Sequence, residues 1–269
     1  MTEIAPDIRL VLAPNPGPMT LEGTNTWILG PESLGNPSGP GASAGPSVVV
    51  DPGPLHEGHL LRVQQAAGEV IDIVLTHRHL DHSEGVARFA EVTRSGVRAA
   101  DPAYAIPASG ADGRLDDGLE FGVGDLTVRA VATPGHTSDS TSLLVTGPTG
   151  HWLLTGDMVL GRGTTVITHP DGDLGAYLHS LEVLLALVRE HDVTAILPGH
   201  GPVVTDPEGV LTFYREHRRQ RLDQVRDALR QGDTTPAEVV ARVYADVDHS
   251  VWPAAEQSVR AQLDYLRGS

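Results

Sequence analysis

Short runs of apolar, mostly β-branched residues recur along the first half of the chain, and turn-forming residues separate them. This pattern predicts β-strands at residues 8–12, 24–29, 48–50 and 70–75. Two longer stretches, residues 119–132 and 141–154, each predict a pair of antiparallel strands. A last short strand is predicted at residues 194–197.

Apolar positions spaced three to four residues apart predict helices between the strands and after them. The predicted helices cover residues 55–67, 83–92, 174–189, 210–230, 235–245 and 253–266. Ser83 is the expected N-cap of the second helix, and Thr235 followed by Pro236 is the expected start of the fifth. Because only helices follow residue 205, we predict a catalytic domain over residues 1–205 and a helical appendage over residues 206–269.

The order of elements predicts an α/β fold. Strands and helices alternate first, strands follow, and a helix and a strand come last, which favours two mixed sheets packed face to face with helices outside. This is an αβ/βα layered sandwich. The connection over residues 31–46 is largely Gly, Pro, Ser and Ala, buries little apolar surface, and is predicted to be a loop without regular structure.

Composition narrows the class of protein. The chain has 269 residues, 40% of them hydrophobic, which is enough for one large domain with a small appendage. No run approaches the roughly 20 apolar residues of a membrane span, and residues 1–10 lack the features of an export signal. We therefore expect a cytoplasmic protein with no membrane partner. Cysteine is absent, so a transition metal would be bound by imidazole and carboxylate groups.

The net charge of −16 bears on possible polyanionic partners. A negative field opposes RNA at long range, so RNA would need a local arginine patch or bound metal ions to attract it. Several arginines in the predicted helix at residues 210–230 could form such a patch. They are interleaved with Glu216, Asp223 and Asp227 at helical pair spacings, which is also typical of an ordinary solvated helix.

One short segment concentrates potential metal ligands at the end of a predicted strand. His77, His79, Asp81 and His82 lie within six residues, directly after the apolar run at residues 70–75. His77 and His79 alternate as strand positions do, so both can converge on one ion while Asp81 and His82 turn towards a second. Burying these groups is costly unless a metal binds them, so we predict a metal site here.

Three further candidates, His136, Asp157 and His200, occupy equivalent places. Each follows a predicted strand and lies in a turn that contains glycine. Glycine lets the backbone bend sharply, so a short side chain can reach a shared centre from a strand end. Singly, each histidine could be an ordinary surface or core residue, but together with residues 77–82 they predict one metal centre.

The His-x-His-x-Asp-His segment, followed by single His, Asp and His residues in glycine turns, resembles the signature of the metallo-beta-lactamase superfamily over about residues 24–202. The resemblance implies a four-layer αβ/βα sandwich and a hydrolase with two zinc ions or other divalent metals. The implied ligands are His77, His79 and His136 for one ion, Asp81, His82 and His200 for the other, and Asp157 bridging both.

The same resemblance implies roles in catalysis. A hydroxide bridging the two ions would be the nucleophile, and Asp81 would also orient it as a catalytic residue. Asp51, in an Asp-x-Gly turn, resembles the carboxylate that supports the ligand loop without binding metal. The alternative for Asp51 is a simple turn aspartate. No residue for substrate binding is predicted.

Within the superfamily, the motifs Gly-Thr-Asn-Thr-Trp (residues 23–27), Pro-Gly-His-Thr-Ser-Asp (residues 134–139) and Pro-Gly-His-Gly-Pro (residues 198–202) resemble the beta-lactamase-like protein 2 branch. Members of this branch include an endoribonuclease selective for single strands. Their C-terminal part resembles a winged helix, which we expect here in truncated form because little sequence follows the last predicted helix.

Three functions therefore remain open. The branch likeness implies a phosphodiesterase that cleaves single-stranded RNA. The alternative is a thioester hydrolase of the glyoxalase II type, acting on a small-molecule ester or thioester, although a chain without lysine cannot hold glutathione through lysines. A metal-dependent binding protein without catalysis is the third possibility, although every ligand position carries the expected residue type.

Overall fold

Two β-sheets and the helices around them make up the computed structural model, which describes residues 2–5, 7–31, 45–108 and 112–268. The strands are β1 (Thr2–Ala5), β2 (Ile8–Leu12), β3 (Asn25–Leu29), β4 (Pro46–Val50), β5 (Glu69–Val74), β6 (Gly96–Arg98), β7 (Glu120–Val123), β8 (Leu126–Ala132), β9 (Thr141–Gly147), β10 (Gly150–Gly156) and β11 (Ala195–Pro198). The helices are α1 (Glu57–Ala67), α2 (Leu80–Ser83), α3 (Val86–Thr93), α4 (Leu174–His191), α5 (Pro207–Arg230), α6 (Pro236–Val243) and α7 (Trp252–Gly268), with a 3-10 turn at His249–Val251.

Strand direction brings several strand ends together. The first sheet has the order β1-β2-β3-β4-β5-β6, with β4, β5 and β6 parallel to one another. The second has the order β11-β10-β9-β8-β7, in which β10 and β11 are parallel. Since β8 and β10 both run antiparallel to β9, the strands β8, β10 and β11 share one direction. Their carboxyl ends therefore lie at one edge of this sheet.

Alternating side chains build the layers that the sequence predicts. In β4, Val48 and Val50 join the core between the sheets, whereas Val49 joins the core beneath α1 and α3. In β9, Leu143 faces the central core and Leu144 faces the core beneath α4 and α5. Each such buried side chain contributes about 1.5–3 kcal/mol. The four-layer αβ/βα sandwich is confirmed.

The C-terminal helices pack against the second sheet's outer layer. Leu222 of α5 and Ala261 of α7 share the core of α4, and a smaller cluster joins α5, α6 and α7. Thr235 caps α6 in a capping box with Glu238, and Pro236 begins the helix, both as predicted. The described residues after residue 205 form helices and no strand.

Other predictions need correction or fall outside the description. Ser83 is not an N-cap, because residues 80–83 form a short helix of their own and α3 begins after Gly85. The Ser83 hydroxyl instead donates to the carbonyl of Arg78. The strands β1 and β6 were not predicted. Residues 32–44 of the predicted loop lie outside the described residues. No described helix is long and apolar enough to cross a membrane.

Candidate metal centre

The predicted ligand residues all follow strand ends at one side of the sandwich. The segment with His77 to His82 follows β5 of the first sheet, while His136, Asp157 and His200 follow β8, β10 and β11 of the second. Backbone hydrogen bonds join these ends: Thr141 N donates to Thr76 O over 2.8 Å, and Gly199 N donates to Gly156 O over 2.8 Å. The centre therefore lies where the two sheets meet.

The first group of donor atoms consists of three imidazoles. His79 Nδ1 lies 3.1 Å from His77 Nε2 and 3.0 Å from His136 Nε2. These three residues form one potential metal-binding group, as the sequence predicts. His77 and His136 are buried, and His79 is partly exposed.

The second group consists of Asp81, His82 and His200, which also form a potential metal-binding group. His200 Nε2 lies 3.2 Å from His82 Nε2 and 3.0 Å from Asp81 Oδ2. Asp157 lies between the two groups, with Oδ1 3.4 Å from His82 Nε2 and Oδ2 3.8 Å from His136 Nε2. The structure thus brings all seven predicted residues together and places Asp157 next to both groups.

Hydrogen bonds behind the centre orient the imidazoles. The Nδ1 atom of His136 faces Val166 O at 2.5 Å, and that of His200 faces Gly23 O at 3.1 Å. A carbonyl oxygen can only accept, so Nδ1 carries the proton in both rings and Nε2 directs a lone pair towards the centre. Backbone positions thus select the tautomer that a metal ligand requires.

Asp51 links the two ligand groups from behind. Its carboxylate accepts hydrogen bonds from Thr76 N at 2.8 Å and Thr76 Oγ1 at 2.7 Å, and Oδ2 lies 2.8 Å from His82 Nδ1. Because the Thr76 hydroxyl donates to Asp51, it can accept from His77 Nδ1, 3.1 Å away. Asp51 is buried and contacts the outward nitrogen of His82, which is the position expected of a supporting carboxylate.

The carboxylates of the cluster favour a positive charge beside them. Burial lowers the pKa of His77, of His79 and of His136, the last to about 4, so these rings are neutral near pH 7. Burial also disfavours a charge on His200, but Asp157 and Asp81 outweigh it and raise the pKa of His200 to about 9. One donor group thus offers neutral imidazoles, whereas near Asp81 and Asp157 the carboxylates favour a positive charge, which a divalent ion can supply in place of the proton on His200. Imidazole and carboxylate donors arranged in this way fit two divalent transition-metal ions.

Two glycines keep space for the ligand turns. A Cβ atom at Gly199 would lie 2.5 Å from Asp157 Oδ1 and 2.7 Å from His82 Cε1. Gly156 has a φ of 48°, and a Cβ atom there would lie 2.5 Å from Thr76 Oγ1. Any other residue at these positions would displace groups of the candidate centre.

Sequence reasoning missed several residues that hold the ligand turns. Arg78, between two ligand histidines, points away from the centre and binds Asp101 at 3.0 Å, Ser138 at 2.9 Å and Asp171. Its place in the strand-like alternation could have shown that it faces away from His77 and His79. No local signal identifies its partners, which come from distant parts of the sequence.

Asn25 and Trp27 hold the turn that carries His200. Asn25 Nδ2 donates to Pro198 O at 2.9 Å and to Gly201 O at 2.8 Å, and Trp27 Nε1 donates to Pro198 O at 3.1 Å. The motif at residues 23–27 was noted in the sequence, but without a role. The structure shows that it positions a turn more than 170 residues away.

A cavity of about 370 Å³ opens beside the centre. His136 and Asp157 form part of its wall, and the helices α5 and α7 form another part. The lining is mainly apolar and includes Met19, Leu21, Leu160, Val166, Tyr244, Val247, Val251, Ala254 and Ala255. Arg162, His217, Arg218 and Arg221 also line it, and Arg162 is paired with Glu22. Ligand cavities typically have volumes of roughly 300–1,000 Å³, so a small molecule fits here.

Comparison with known proteins agrees with this geometry. Residues 42–200 match the family described as the metallo-beta-lactamase superfamily, and residues 235–267 match that described as the beta-lactamase associated winged helix domain. The chain is 34% identical to a beta-lactamase-like protein 2 homolog of Drosophila melanogaster, covering 99% of this chain and 89% of that protein. It is 32% identical to an atrochrysone carboxyl ACP thioesterase of Aspergillus chevalieri, covering 92% and 76%.

A solved structure shares the fold over nearly the whole chain. The crystal structure of a metallo-beta-lactamase family protein from Thermus thermophilus superimposes with a TM-score of 0.75, covering 99% of this chain and 95% of that one. The two sequences are 20% identical, so this likeness concerns the fold alone.

Proposed function

The chain belongs to the metallo-beta-lactamase superfamily of metal-dependent hydrolases, and from that premise we propose that it uses two zinc ions to cleave an ester or thioester of an apolar acid. One observation carries the proposal: two donor groups with Asp157 between them lie beside a mainly apolar cavity. In this proposal residues 1–205 form the catalytic unit and residues 206–269 an appendage that completes the cavity.

The ligands follow from the two donor groups. In the proposal His77, His79 and His136 hold one ion, Asp81, His82 and His200 hold the other, and Asp157 contacts both. Other divalent metals could use the same donors. When bound, two such ions lower the pKa of water and stabilise negative charge on oxygen.

Asp81 has the properties of a hydrogen-bond acceptor at the centre. It is partly exposed, whereas Asp157 is almost buried. Burial raises the pKa of Asp81, but His82 and His200 outweigh burial and lower it, so the carboxylate is ionised at neutral pH. An ionised, accessible carboxylate can accept a hydrogen bond from the attacking water and so orient it towards the substrate.

The cavity and the surface charges favour an acyl substrate over RNA. Among the arginines of α5, Arg215 and Arg219 lie close to Glu182, Arg226 binds Asp223 and Arg230 binds Asp227. These pairs neutralise most of the arginine patch considered from the sequence. In addition, an apolar wall beside the centre suits a hydrocarbon chain better than a phosphate backbone.

Single-stranded RNA is the second candidate. It is favoured by the likeness to the beta-lactamase-like protein 2 branch and by Arg218 and Arg221, which line the cavity. If RNA is the substrate, few phosphates would be contacted, so binding would depend only weakly on salt. Cleavage would then prefer unpaired strands, because a duplex is too stiff to enter the recessed centre.

Metal content and substrate preference test the proposal together. Elemental analysis of zinc-saturated protein should give two equivalents, and Asp157→Ala should lose both or leave one weakly bound. Asp125→Ala, in the exposed turn between β7 and β8, is the matched control and should retain both ions. One equivalent in the parent protein would overturn the dinuclear centre.

The loaded protein is then assayed against acyl thioesters, single-stranded RNA and a chromogenic lactam under the same conditions. We expect thioester hydrolysis to be fastest and to disappear in Asp157→Ala. RNA cleavage without thioester hydrolysis would support the second candidate instead. Full zinc binding with no hydrolysis of any ester, thioester, RNA or lactam would favour a binding protein.

A further inference from the structure

Two arginines in the cavity wall differ from the other arginines of α5. Arg215, Arg219, Arg226 and Arg230 each have a carboxylate within 4.0 Å. Arg218 and Arg221 line the cavity, and neither has such a partner among the residues that the structure describes. In a chain with a net charge of −16, two arginines without acidic partners on one wall are unexpected.

Arg218 is a buried cation with neutral neighbours. Only 3% of its surface is exposed. Its guanidinium donates to the carbonyl of Thr165 and lies 5.0 Å from the centre of the Tyr177 ring, while its buried Nε has no hydrogen-bond partner. Burying a cation without an anion is costly, and these neutral contacts offset only part of that cost. An anionic group bound in the cavity would supply the missing negative charge.

Arg221 and His217 extend the same basic wall. Arg221 donates to Gln224 Oε1 and Val243 O, both at 3.0 Å, and stacks 4.6 Å from the Tyr244 ring centre. Burial, followed by the charges of Arg218 and Arg221, lowers the pKa of His217 to about 4. His217 is therefore neutral near pH 7, and the positive charge of this wall comes from Arg218 and Arg221. Each guanidinium is planar and can donate two parallel hydrogen bonds to one carboxylate.

The basic wall lies close to the candidate metal centre. Thr165 contacts both the basic wall and the candidate centre. Its carbonyl accepts a hydrogen bond from Arg218, and its hydroxyl lies 3.2 Å from His136 Nδ1. An anionic group at Arg218 is therefore separated from a predicted ligand by one residue. Such a group would belong to the part of the substrate next to the scissile bond, because a distant carrier phosphate could not lie so near the centre.

From this arrangement we infer that the substrate's acyl group is itself acidic: an apolar chain that carries a carboxylate, bound by Arg218 and Arg221, with the scissile ester or thioester bond at the metal centre. This inference rests on the proposed function and specifies its substrate class. Water adds to the acyl carbon, the bond from that carbon to sulfur or oxygen breaks, and the leaving group takes up one proton. The products are a dicarboxylic acid and a thiol or alcohol.

A paired series of thioesters tests the inference on the zinc-loaded protein. The succinyl, adipyl, suberyl and sebacyl monothioesters of N-acetylcysteamine are compared with the neutral butyryl, hexanoyl, octanoyl and decanoyl thioesters. A thiol-reactive dye follows the reaction without background from protein thiols, since the chain contains no cysteine, and rates without enzyme are subtracted. For at least one chain length we expect kcat/KM to favour the acid on the order of 10- to 100-fold.

Substitution of the two arginines should remove this preference. In Arg218→Met and Arg221→Met the ratio of acidic to neutral kcat/KM should fall at least about tenfold, mainly through KM, while Arg218→Lys should keep part of it. Arg226→Met, on the same helix but paired with Asp223, is the matched control and should keep the full ratio. Circular dichroism verifies that each variant folds, and its zinc content verifies that the metal centre is intact. If Arg218→Met does not fold because Arg218 is buried, Arg221→Met tests the inference.

Calorimetry separates this inference from the proposed function. Suberate and octanoate each offer one carboxylate to the metals, but only suberate has a second for the arginines, so suberate should bind about tenfold more tightly. If no ester or thioester is cleaved but suberate keeps this arginine-dependent advantage, the proposed function fails and the anionic subsite stands. Equal use of acidic and neutral thioesters with equal binding of suberate and octanoate would overturn the inference. RNA cleavage lost in both arginine variants would identify phosphate as the anion and would overturn it as well.

Discussion

At the scale of single residues, Asp51 shows how one side chain outside the ligand set can control it. Its carboxylate accepts from Thr76 and contacts His82, and Thr76 in turn contacts His77. Asp51 therefore fixes one imidazole of each donor group. Removing the partner behind a ligand histidine typically costs a factor of about 10–100 in metal affinity.

Asp51→Ala should accordingly weaken zinc binding by roughly 10- to 100-fold, measured by competition with a chelating dye. Asp51 has a φ of 52°, which alanine tolerates poorly, so Asp51→Asn is the better-matched variant. The NH2 group of the introduced amide would face the hydrogen-bond donors of Thr76 or His82, so the affinity for zinc should still fall. Parent-like affinity in both variants would show that the Asp51 contacts do not support the centre.

His59 predicts how folding stability depends on pH. It is buried, with Nε2 3.0 Å from Thr26 Oγ1, and burial followed by the charge of Arg62 lowers the pKa of His59 to about 4. In the unfolded chain a histidine takes up its proton near pH 6.5. Between these two values the unfolded state binds more protons, so stability is complete above about pH 6.5 and declines as pH falls towards 4.

The free energy of unfolding should therefore fall less steeply from pH 7 to pH 5 in His59→Gln than in the parent protein. Urea unfolding at several pH values measures the slope, and other histidines cancel in the comparison. His249→Gln, on the exposed surface, is the matched control. Identical slopes in His59→Gln and the parent would contradict the prediction.

The convergence of the candidate ligand residues could be predicted from the sequence because each stands in a short motif at a strand end. Which arginines line the cavity and which form surface ion pairs could not be predicted in the same way. Arg218 and Arg215 look alike in the sequence, and only the packing of α5 places one in the cavity wall and the other beside Glu182. Long-range contacts, rather than local pattern, decide their roles.

At the scale of elements, the turn after β8 depends on close packing against α4. Gly135 has a φ of 142°, and a Cβ atom there would lie 2.3 Å from Tyr177 Cα in the first turns of α4. Since backbone atoms are in the way, no side-chain movement relieves the overlap. The glycine thus lets a helix approach the turn that carries His136.

Gly135→Ala should lower the free energy of unfolding by roughly 2–6 kcal/mol, through backbone strain and overlap together. Gly118→Ala is the matched control, because Gly118 also has a positive φ, 77°, but no atom within 4 Å of the added Cβ. The free energy of unfolding of Gly118→Ala should fall by only about 1–3 kcal/mol. Urea unfolding in the presence of a chelator removes the metal contribution, and equal losses in the two variants would exclude the steric explanation.

Most elements could be predicted because their apolar spacing is regular. The prediction of a helix at residues 83–92 was wrong at its start. The segment with the candidate ligands forms the short helix α2, and a new helix begins after Gly85. The strands β1 and β6 were missed for another reason. They are short, and their pairing with β2 and β5 stabilises them more than their own sequences do.

At the scale of the whole molecule, we expect the candidate metal centre and the hydrophobic cores to be separate sources of stability. The cores between the sheets and beneath the helices consist of apolar side chains and do not include the ligand residues. The fold should therefore persist without metal. Ions that bind only the folded state add stability in proportion to the logarithm of their concentration.

Removal of zinc with a chelator should lower Tm by about 10 °C or more while leaving the circular dichroism spectrum at 25 °C unchanged. Thermal scans with and without chelator measure the difference, and re-addition of zinc should restore Tm. Asp157→Ala provides the control, since its Tm should respond much less to zinc. Loss of the spectrum on chelation would show that the cores alone do not maintain the fold.

The layered architecture could be predicted from the order of elements, but the order of strands within each sheet could not. Strand pairing depends on contacts between residues far apart in sequence, such as Thr141 N with Thr76 O across the two sheets. The truncated form of the C-terminal part stays a prediction, and the described residues after residue 205 form helices only. The division at residue 205 stays a prediction.

Placing the centre where the two sheets meet also divides its ligands between two halves of the polypeptide. The part up to β6 carries His77, His79, Asp81 and His82, and the part from β7 onward carries His136, Asp157 and His200. Neither half holds a complete donor group of either kind. If the two halves were expressed as separate fragments, uptake of the ions would report their reassembly, so the centre would act as a built-in sensor of fragment complementation.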